Sequence, residues 1–487
     1  MRGIIIILIV LFATSAAYAA QDTVYLTVDD AIVMARYSSP EATRIKVEYQ
    51  TKLWEREIFL SSLKPQLVFN AVLPELDRKV GQVPQSDGTV KFVRVANSSL
   101  RTSLSVEQAI ALTGGTLSVG SEILRYDNIE RKTHSYAAYP LNITLQQPVM
   151  GFNSLKWGKR IEPVKLLEVN RAFARNMELC VQRTLSMFYT LMQHQIRLQI
   201  AQSNLSINQH LLNIATERYR LGKISRSEVI SVELNYRKSS NQLVEAQDDK
   251  RRSQVELLIF LGMPITSELV LVEPDLPQKV TLELGKVVEL SRQNSYHEAL
   301  NRRRLIEADA SVAEAKAKSG VSAQLNVIMG WSGSSERLNQ MDFSSGDRQE
   351  VYFGLHIPIL DWGKGRARVK TAIEARKMVQ LNAEQEMVAL EREAILLVER
   401  MYMLSSKVEN TKVIDSLARE RFSIDAQRYV SQNISFTDFS IAQQEKDLAQ
   451  SAYILSLEEY WLTFYRLREL TLFDFEHHRS LVDSISL

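Results

Sequence analysis

Cysteine is almost absent: Cys180 stands alone in 487 residues, so no intrachain disulfide can hold the fold. Helix breakers are scarce too, with 11 prolines and 18 glycines. Residues 164–263 contain no proline and glycine only at 222 and 262, and residues 366–487 contain neither. That sparsity excludes a chain of short elements. Pro163 to Gly222 as one helix would span about 90 Å at 1.5 Å per residue, far beyond globular helix length. An excess of one charge is also missing, since 59 Lys+Arg face 57 Asp+Glu for a net charge of +2. Such balance leaves no electrostatic footprint for nucleic acid. No nucleophile–base set or ligand spacing stands out, so no enzyme and no cofactor site are expected. The 13 Met are spread along helices rather than clustered as copper ligands, and His477-His478 has no ligand-spaced partners in the sequence, so no metal site is expected. Beyond the first residues no run reaches about 18 apolar positions, so no transmembrane helix is expected in the mature chain.

What is present begins with Arg2, an apolar run from Ile4 to Phe12, and small residues ending in Ala-Tyr-Ala at 17–19. Ala17 and Ala19 occupy the −3 and −1 places of a secretory cleavage site, which predicts a signal peptide over 1–19. Gly3–Ala20 approaches a spanning length, but the small-residue ending favours cleavage over an uncleaved anchor.

The mature sequence is duplicated. "LTVDDAIVMARYSSPEA" from Leu26 pairs with "LELGKVVELSRQNSYHEA" from Leu282, "LNITLQQPV" (141–149) with "FGLHIPILD" (353–361), and Trp157-Gly158 with Trp362-Gly363. The first repeat is assigned to 20–275, with strands about 65–149 and helices about 27–63 and 160–263. The second is assigned to 276–487, with strands about 322–361 and helices about 282–318 and 363–470. Trp157 and Trp362 are expected to pack where strand becomes helix. The first repeat holds a longer segment between its outer strands, 75–139, which reads equally as a further hairpin in the sheet or as an elaboration outside it.

The strands alternate: Val351, Phe353 and Leu355 oppose Tyr352, Gly354 and His356, and Leu141, Ile143 and Leu145 oppose Asn142, Thr144 and Gln146. Runs of about 9–10 residues fit a tilted membrane strand and a half-buried soluble sheet equally well. The helices break the tie. Met387, Leu390, Ala394, Leu397, Met401, Leu404 and Val408 form a 3-4 seam, and Val388, Ile395, Leu396 and Val398 widen it, so this helix needs neighbours on more than one side. Two hairpins per chain are too few for a membrane barrel, whose every edge must be closed, so several copies are expected to complete one.

"LHIPILDWGKGRARVKTAIEA", "ERYRLGKISRSEVISVELNY" and "LLIFLGMP" resemble the TolC family of outer-membrane efflux proteins, in order and in both repeats. The resemblance implies a mainly α fold with membrane β-structure: a duplicated strand-hairpin and long-helix unit that forms a trimeric outer-membrane β-barrel, continued by a periplasmic α-helical barrel. It further implies a homotrimer set in outer-membrane lipid, serving as exit duct of a tripartite efflux or type I secretion system. The implied partners are a periplasmic adaptor and an inner-membrane pump of RND or ABC type. A soluble coiled-coil adaptor is the competing class, disfavoured by the two helical hairpins and the alternating strands between them.

Two turns carry the remaining signal. "RYRLGKISRSEV" (218–229) and "RYVSQNISFTDF" (428–439) repeat Arg-Tyr, Ile-Ser and an acid at one constant offset. The resemblance places both at the periplasmic tips. It makes Asp438 and Glu228, with Ser435 and Ser225, aperture candidates, and Arg218, Leu221, Gly222, Lys223, Arg428 and Tyr429 adaptor-docking candidates. Read from the residues alone, Ser225-x-x-Glu228 and Ser435-x-x-Asp438 are capping boxes, in which Asp is a weaker partner than Glu. The family's glycine in the second turn is Gln432 here, and a second acid found in relatives is Ile441.

Overall fold

A computed structural model describes residues 23–483 except 87, 275, 277–279, 344–345 and 432. The signal peptide expected over 1–19 and the turn residue Gln432 therefore lie outside the described residues. In chain order the first repeat gives β1 (Thr23–Leu26), α1 (Val28–Tyr37) and α2 (Pro40–Ser62). Four long strands follow: β2 (Gln66–Pro84), β3 (Val90–Ile110), β4 (Gly115–Asn128) and β5 (Thr133–Met150). The helix pair α3 (Ser154–Arg220) and α4 (Arg226–Leu261) completes it. After β6 (Glu268–Leu271), the second repeat gives α5 (Leu284–Asn294), α6 (Tyr296–Ser319), β7 (Ser322–Ser335), β8 (Asp347–His356), α7 (Lys364–Val430) and α8 (Phe436–Thr471). Two short strands, β9 (Phe473–Asp474) and β10 (Arg479–Ser480), close the tail.

The duplication extends to element length: α3 and α7 each have 67 residues, α4 and α8 each have 36. At 1.5 Å per residue the longer pair are rods of about 100 Å. The helices expected over 27–63 and 282–318 are each broken in two. Pro40 opens α2 as its first residue, where its missing N–H costs nothing, and it disfavours helix in the residue before. In the second repeat the Ser295 hydroxyl caps α6, accepting from the Glu298 amide at 3.3 Å.

The chain divides into two compact units that cut across the repeats. One takes residues 48–172 and 292–390. Its centre is a six-stranded antiparallel sheet in the order β2-β3-β4-β5-β7-β8. The segment 75–139 thus lies in the sheet, and β3 and β4 have no counterpart among the described residues of the second repeat. Cross-strand register joins Leu67, Val106, Val119, Ile143 and Met329 in one row over five strands, and Leu117, Leu145, Val327 and Val351 in the next, reaching β8. On the opposite face Ser105, Gly120, Asn142 and Gly330 form a row, as do Ser118, Thr144, Ile328 and Glu350. One face is mostly apolar, with Gln349 ending the first row on β8 and Gln108 preceding the second on β3, and the other is mostly small and polar. Beyond the sheet, and among the described residues, 79–84 of β2 and 90–95 of β3 pair only with each other, an overhanging ribbon of about 20 Å. The helices of this unit are tied by ion pairs: Arg303 holds Glu168 and Glu307, Arg376 holds Asp309, and Arg171 reaches Glu298 at 2.5 Å. Trp157 is half-buried with Arg160 over its ring, whereas Trp362 is 90% exposed with φ +54°, so the expected packing fails there.

The other unit takes the described part of 1–47 together with 173–291 and 391–487. Here β1 lies parallel to β6, joining the segments that lead into α1 and α5. Phe188, Tyr189, Tyr460 and Phe464 are fully buried. Beside them Glu178 accepts from Arg36 at 2.7 Å and from Arg468 at 3.1 Å, and Arg468 also meets Asp474 at 2.9 Å. Glu178, Arg468 and Asp474 are all buried. Burial opposes ionisation of Asp474, but Arg468 and the amides of His477 and Glu476 overcome it and hold the carboxyl below its ordinary range. Ligand atoms of Asp474, Glu476 and His477 lie within 4.8 Å of one another, so His477 does have carboxylate neighbours, close by in the sequence itself. Arg468 already neutralises that carboxylate. No helix among the described residues is long and apolar enough to cross a membrane.

Removing one member of a buried charge set strands the others, so Arg468→Ala should cost about 3–5 kcal/mol, read as a lowered thermal midpoint in detergent. Because Asp474 is depressed in the folded state, its stabilisation is complete above the unfolded carboxylate pKa. It is lost as pH falls through the folded value. Asp474→Asn should flatten the acid limb of the stability profile; an unaltered limb would show that the contact contributes nothing.

Candidate functional site

Both long helices end in the same kind of turn. At the end of α3, Gly222 takes φ +71°, its N–H donates to Tyr219 O at 2.8 Å, and Lys223 N–H donates to Arg218 O at 2.9 Å. This i to i−5 bond is the Schellman closure, which needs a left-handed residue at the reversal. At the end of α7, Asn433 N–H donates to Arg428 O at 2.9 Å, the same bond at the matching place of the second repeat. The returning helices are capped alike. Ser225 Oγ accepts from Glu228 N at 3.2 Å, and Ser435 Oγ accepts from Asp438 N at 3.1 Å. Only the second closes the reciprocal box: Asp438 Oδ2 accepts from Ser435 Oγ at 2.7 Å and from Ser435 N at 3.3 Å. The shorter acid, expected to be the weaker partner, is the one engaged.

Behind the turns, residues of all four helices meet. Tyr429 stacks on Phe439 at 5.3 Å and touches Phe436 at 6.0 Å, and Phe422 meets Phe439 at 5.7 Å. Leu211, Ala215 and Val232 from the first hairpin pack into the same cluster. Arg218 lies 6.0 Å over the Tyr429 ring. Burial pushes the Tyr429 phenol up from its ordinary value, against the opposing pull of Arg218. Further along the two hairpins the contacts change character. Asn204 donates to Asp447 at 2.7 Å and accepts from Gln443 at 2.6 Å, while Asn208 donates to Ser239 at 2.7 Å. These residues line a polar groove of about 640 Å³ between α3, α4 and α8.

The aperture candidates Ser225, Glu228, Ser435 and Asp438 are all exposed, each pair at its own turn. Leu221, Gly222 and Lys223 form the exposed first turn. Arg218 and Tyr429 are brought together, with Tyr429 buried among aromatics instead of offered to a partner. Arg428 stays exposed, 3.5 Å from Asp425. Sequence reading missed the charged strip beside Asp438: Arg421, Asp425 and Arg428, with Glu445 paired to Arg421. The i, i+4 spacing of Arg421 and Asp425 was the available signal, as was the seven-residue spacing of Phe422, Tyr429 and Phe436.

No family model and no curated relative matches the sequence. Solved structures do. A membrane protein from Pseudomonas aeruginosa superposes with a TM-score of 0.66 at 14% identity, covering 94% of this chain and 92% of that one. The Campylobacter jejuni CmeC outer membrane channel gives 0.64 at 13% identity, covering 91% and 85%. The outer membrane protein VceC from Vibrio cholerae gives 0.62 at 13% identity, covering 91% and 95%. The chain has the fold these proteins share over nearly their whole length.

Forcing a side chain into the left-handed place, Gly222→Ala should cost roughly 1–2 kcal/mol. Ser435→Ala should cost about 1 kcal/mol. Tyr429→Ala should accelerate amide exchange over residues 422–439 and leave the Arg468 region protected. Unchanged exchange at the tip would show that the aromatic cluster does not hold the hairpins together.

Proposed function

We propose that this chain is an outer-membrane exit duct. In this reading three copies close a membrane β-barrel, and their long helices continue it as an α-helical barrel in the periplasm. The duct takes substrates from an inner-membrane pump of RND or ABC type through a periplasmic adaptor, in a tripartite efflux or type I secretion system. It does no chemistry, since energy enters at the pump.

The observation that carries the reading is the sheet, mostly apolar on one face and mostly polar on the other. In hydrocarbon every backbone N–H and C=O needs a partner, yet β2 and β8 each leave one edge unpaired among the described residues of the chain. A second copy supplies that partner. The helices point the same way: on α7, Leu396, Met403, Leu417 and Ile424 recur at multiples of seven residues and are exposed in one chain. Such a stripe suits a neighbouring helix. The fold is that of proteins described as outer membrane channels, which supports the location. Asp438 is then the aperture residue, with Glu228 as its first-repeat counterpart, and Arg218, Leu221, Gly222, Lys223 and Arg428 mark the end that meets the adaptor, with Tyr429 packed behind them. Three copies of Asp438 near one axis would concentrate cations at the entrance.

The full-length mature protein, purified in detergent and added to a planar bilayer, should give discrete conductance steps. A water-soluble monomer without conductance would sink the duct. Asp438→Asn should lower the cation-to-anion permeability ratio, whereas Ser435→Ala should shift stability and leave selectivity in place. The same ratio in both variants would remove Asp438 from the aperture.

A further inference from the structure

Resting on the trimeric reading above, we infer that the membrane barrel is built of eighteen strands, six from each copy. β8 of one copy pairs antiparallel with β2 of the next. The bore is correspondingly wide, because β3 and β4 are wall strands and not an appended hairpin.

Four observations carry this. First, β3 is bonded to β2 on one side and to β4 on the other, and β4 continues to β5, so removing the pair would strip hydrogen bonds from both neighbours. Second, the apolar rows run through the extra strands without a change of face: Val106 on β3 and Val119 on β4 lie between Leu67 and Ile143. An arm standing in water would have no reason to keep its apolar side in phase with lipid-facing strands. Third, the opposite face of the extra strands carries Ser103, Ser105, Ser118 and Gly120, small groups suited to a wet bore. A Cβ at Gly120 would lie 2.4 Å from Leu104 O, so β4 seats against β3 at a separation only glycine permits there. Fourth, an even number of antiparallel strands leaves β2 and β8 running in opposite directions. Identical copies therefore join by antiparallel pairs at every seam.

Diameter grows with strand number. With strands about 4.8 Å apart and tilted about 40°, eighteen strands give a backbone diameter of about 36 Å, against about 24 Å for twelve. Symmetry-related positions on three copies are then about 31 Å apart in the wider barrel and about 21 Å in the narrower one.

The test is pulsed electron–electron spin resonance on the full mature chain in detergent, with Cys180→Ala and one spin label. Ser118→Cys places the label on an extra strand, and Asn326→Cys places it on β7, which both readings put in the wall. After allowance for the label's length, both positions should give the separation of the wider barrel, about 31 Å. The narrower barrel's separation of about 21 Å at Asn326, with a different value at Ser118, would overturn the eighteen-strand wall. That outcome leaves the duct standing if the protein still conducts. Absence of any separation between copies, together with absence of conductance, would overturn the duct and this inference at once. Should one labelled variant fail to assemble, the other decides by its own value.

Discussion

Everything in this chain answers to the need of backbone amides for partners. A sheet with one apolar face gains by entering hydrocarbon, where water cannot satisfy its edges. Six strands leave two such edges however well the interior pairs. One apolar row starts at the β2 margin with Leu67 and another ends at the β8 margin with Val351, so apolar side chains reach both edges while the backbone at those edges stays unpaired among the described residues. The exposed stripe of α7 is open in the same sense. In the proposed assembly a single copy is a segment of a wall, and its open edges are the places where another copy would pair.

The two halves of the molecule solve different problems with different chemistry. The sheet relies on alternation, with small residues where strands approach closely. The helices near the turns rely on aromatic stacking, and between the hairpins on amide bridges such as Asn204 to Gln443. A seam of amides exchanges partners with less penalty than an apolar core when its helices shift. The stacked rings at Tyr429 and Phe439 are less forgiving, so the hairpins are held by apolar packing near the turns and by the Phe188 and Glu178 region at the other end, with the amide seam between.

Much of this was legible in the sequence, and the limits have physical reasons. Missing breakers made the long helices readable, and the constant offset between the two Arg-Tyr turns located both reversals. Within 75–139, alternation announced strands but could not place them, since a period of two gives a residue's face without naming its neighbour. The breaks at Pro40 and Ser295 were lost because one capping residue inside a helical pattern is a weak signal. Glu178, Arg36, Arg468 and Asp474 were invisible as a group, because they come from three segments far apart in the chain. At the turns, caps at Ser225 and Ser435 were expected. That Asp438 closes its box while the Glu228 carboxylate does not depends on side-chain reach.

The buried charge set also fixes an order of events. Glu178 belongs to α3, and one of its two cationic partners, Arg468, is near the end of α8. Arg468 in turn needs Asp474, which follows it in the tail. Until the last of the three segments of this unit arrives, Glu178 has Arg36 alone and lacks its second cationic partner. A chain emerging from its N-terminus cannot complete this unit early, however long it waits. The division of this unit among distant segments thus orders its assembly, because its buried charges are all partnered only once residues 391–487 are present.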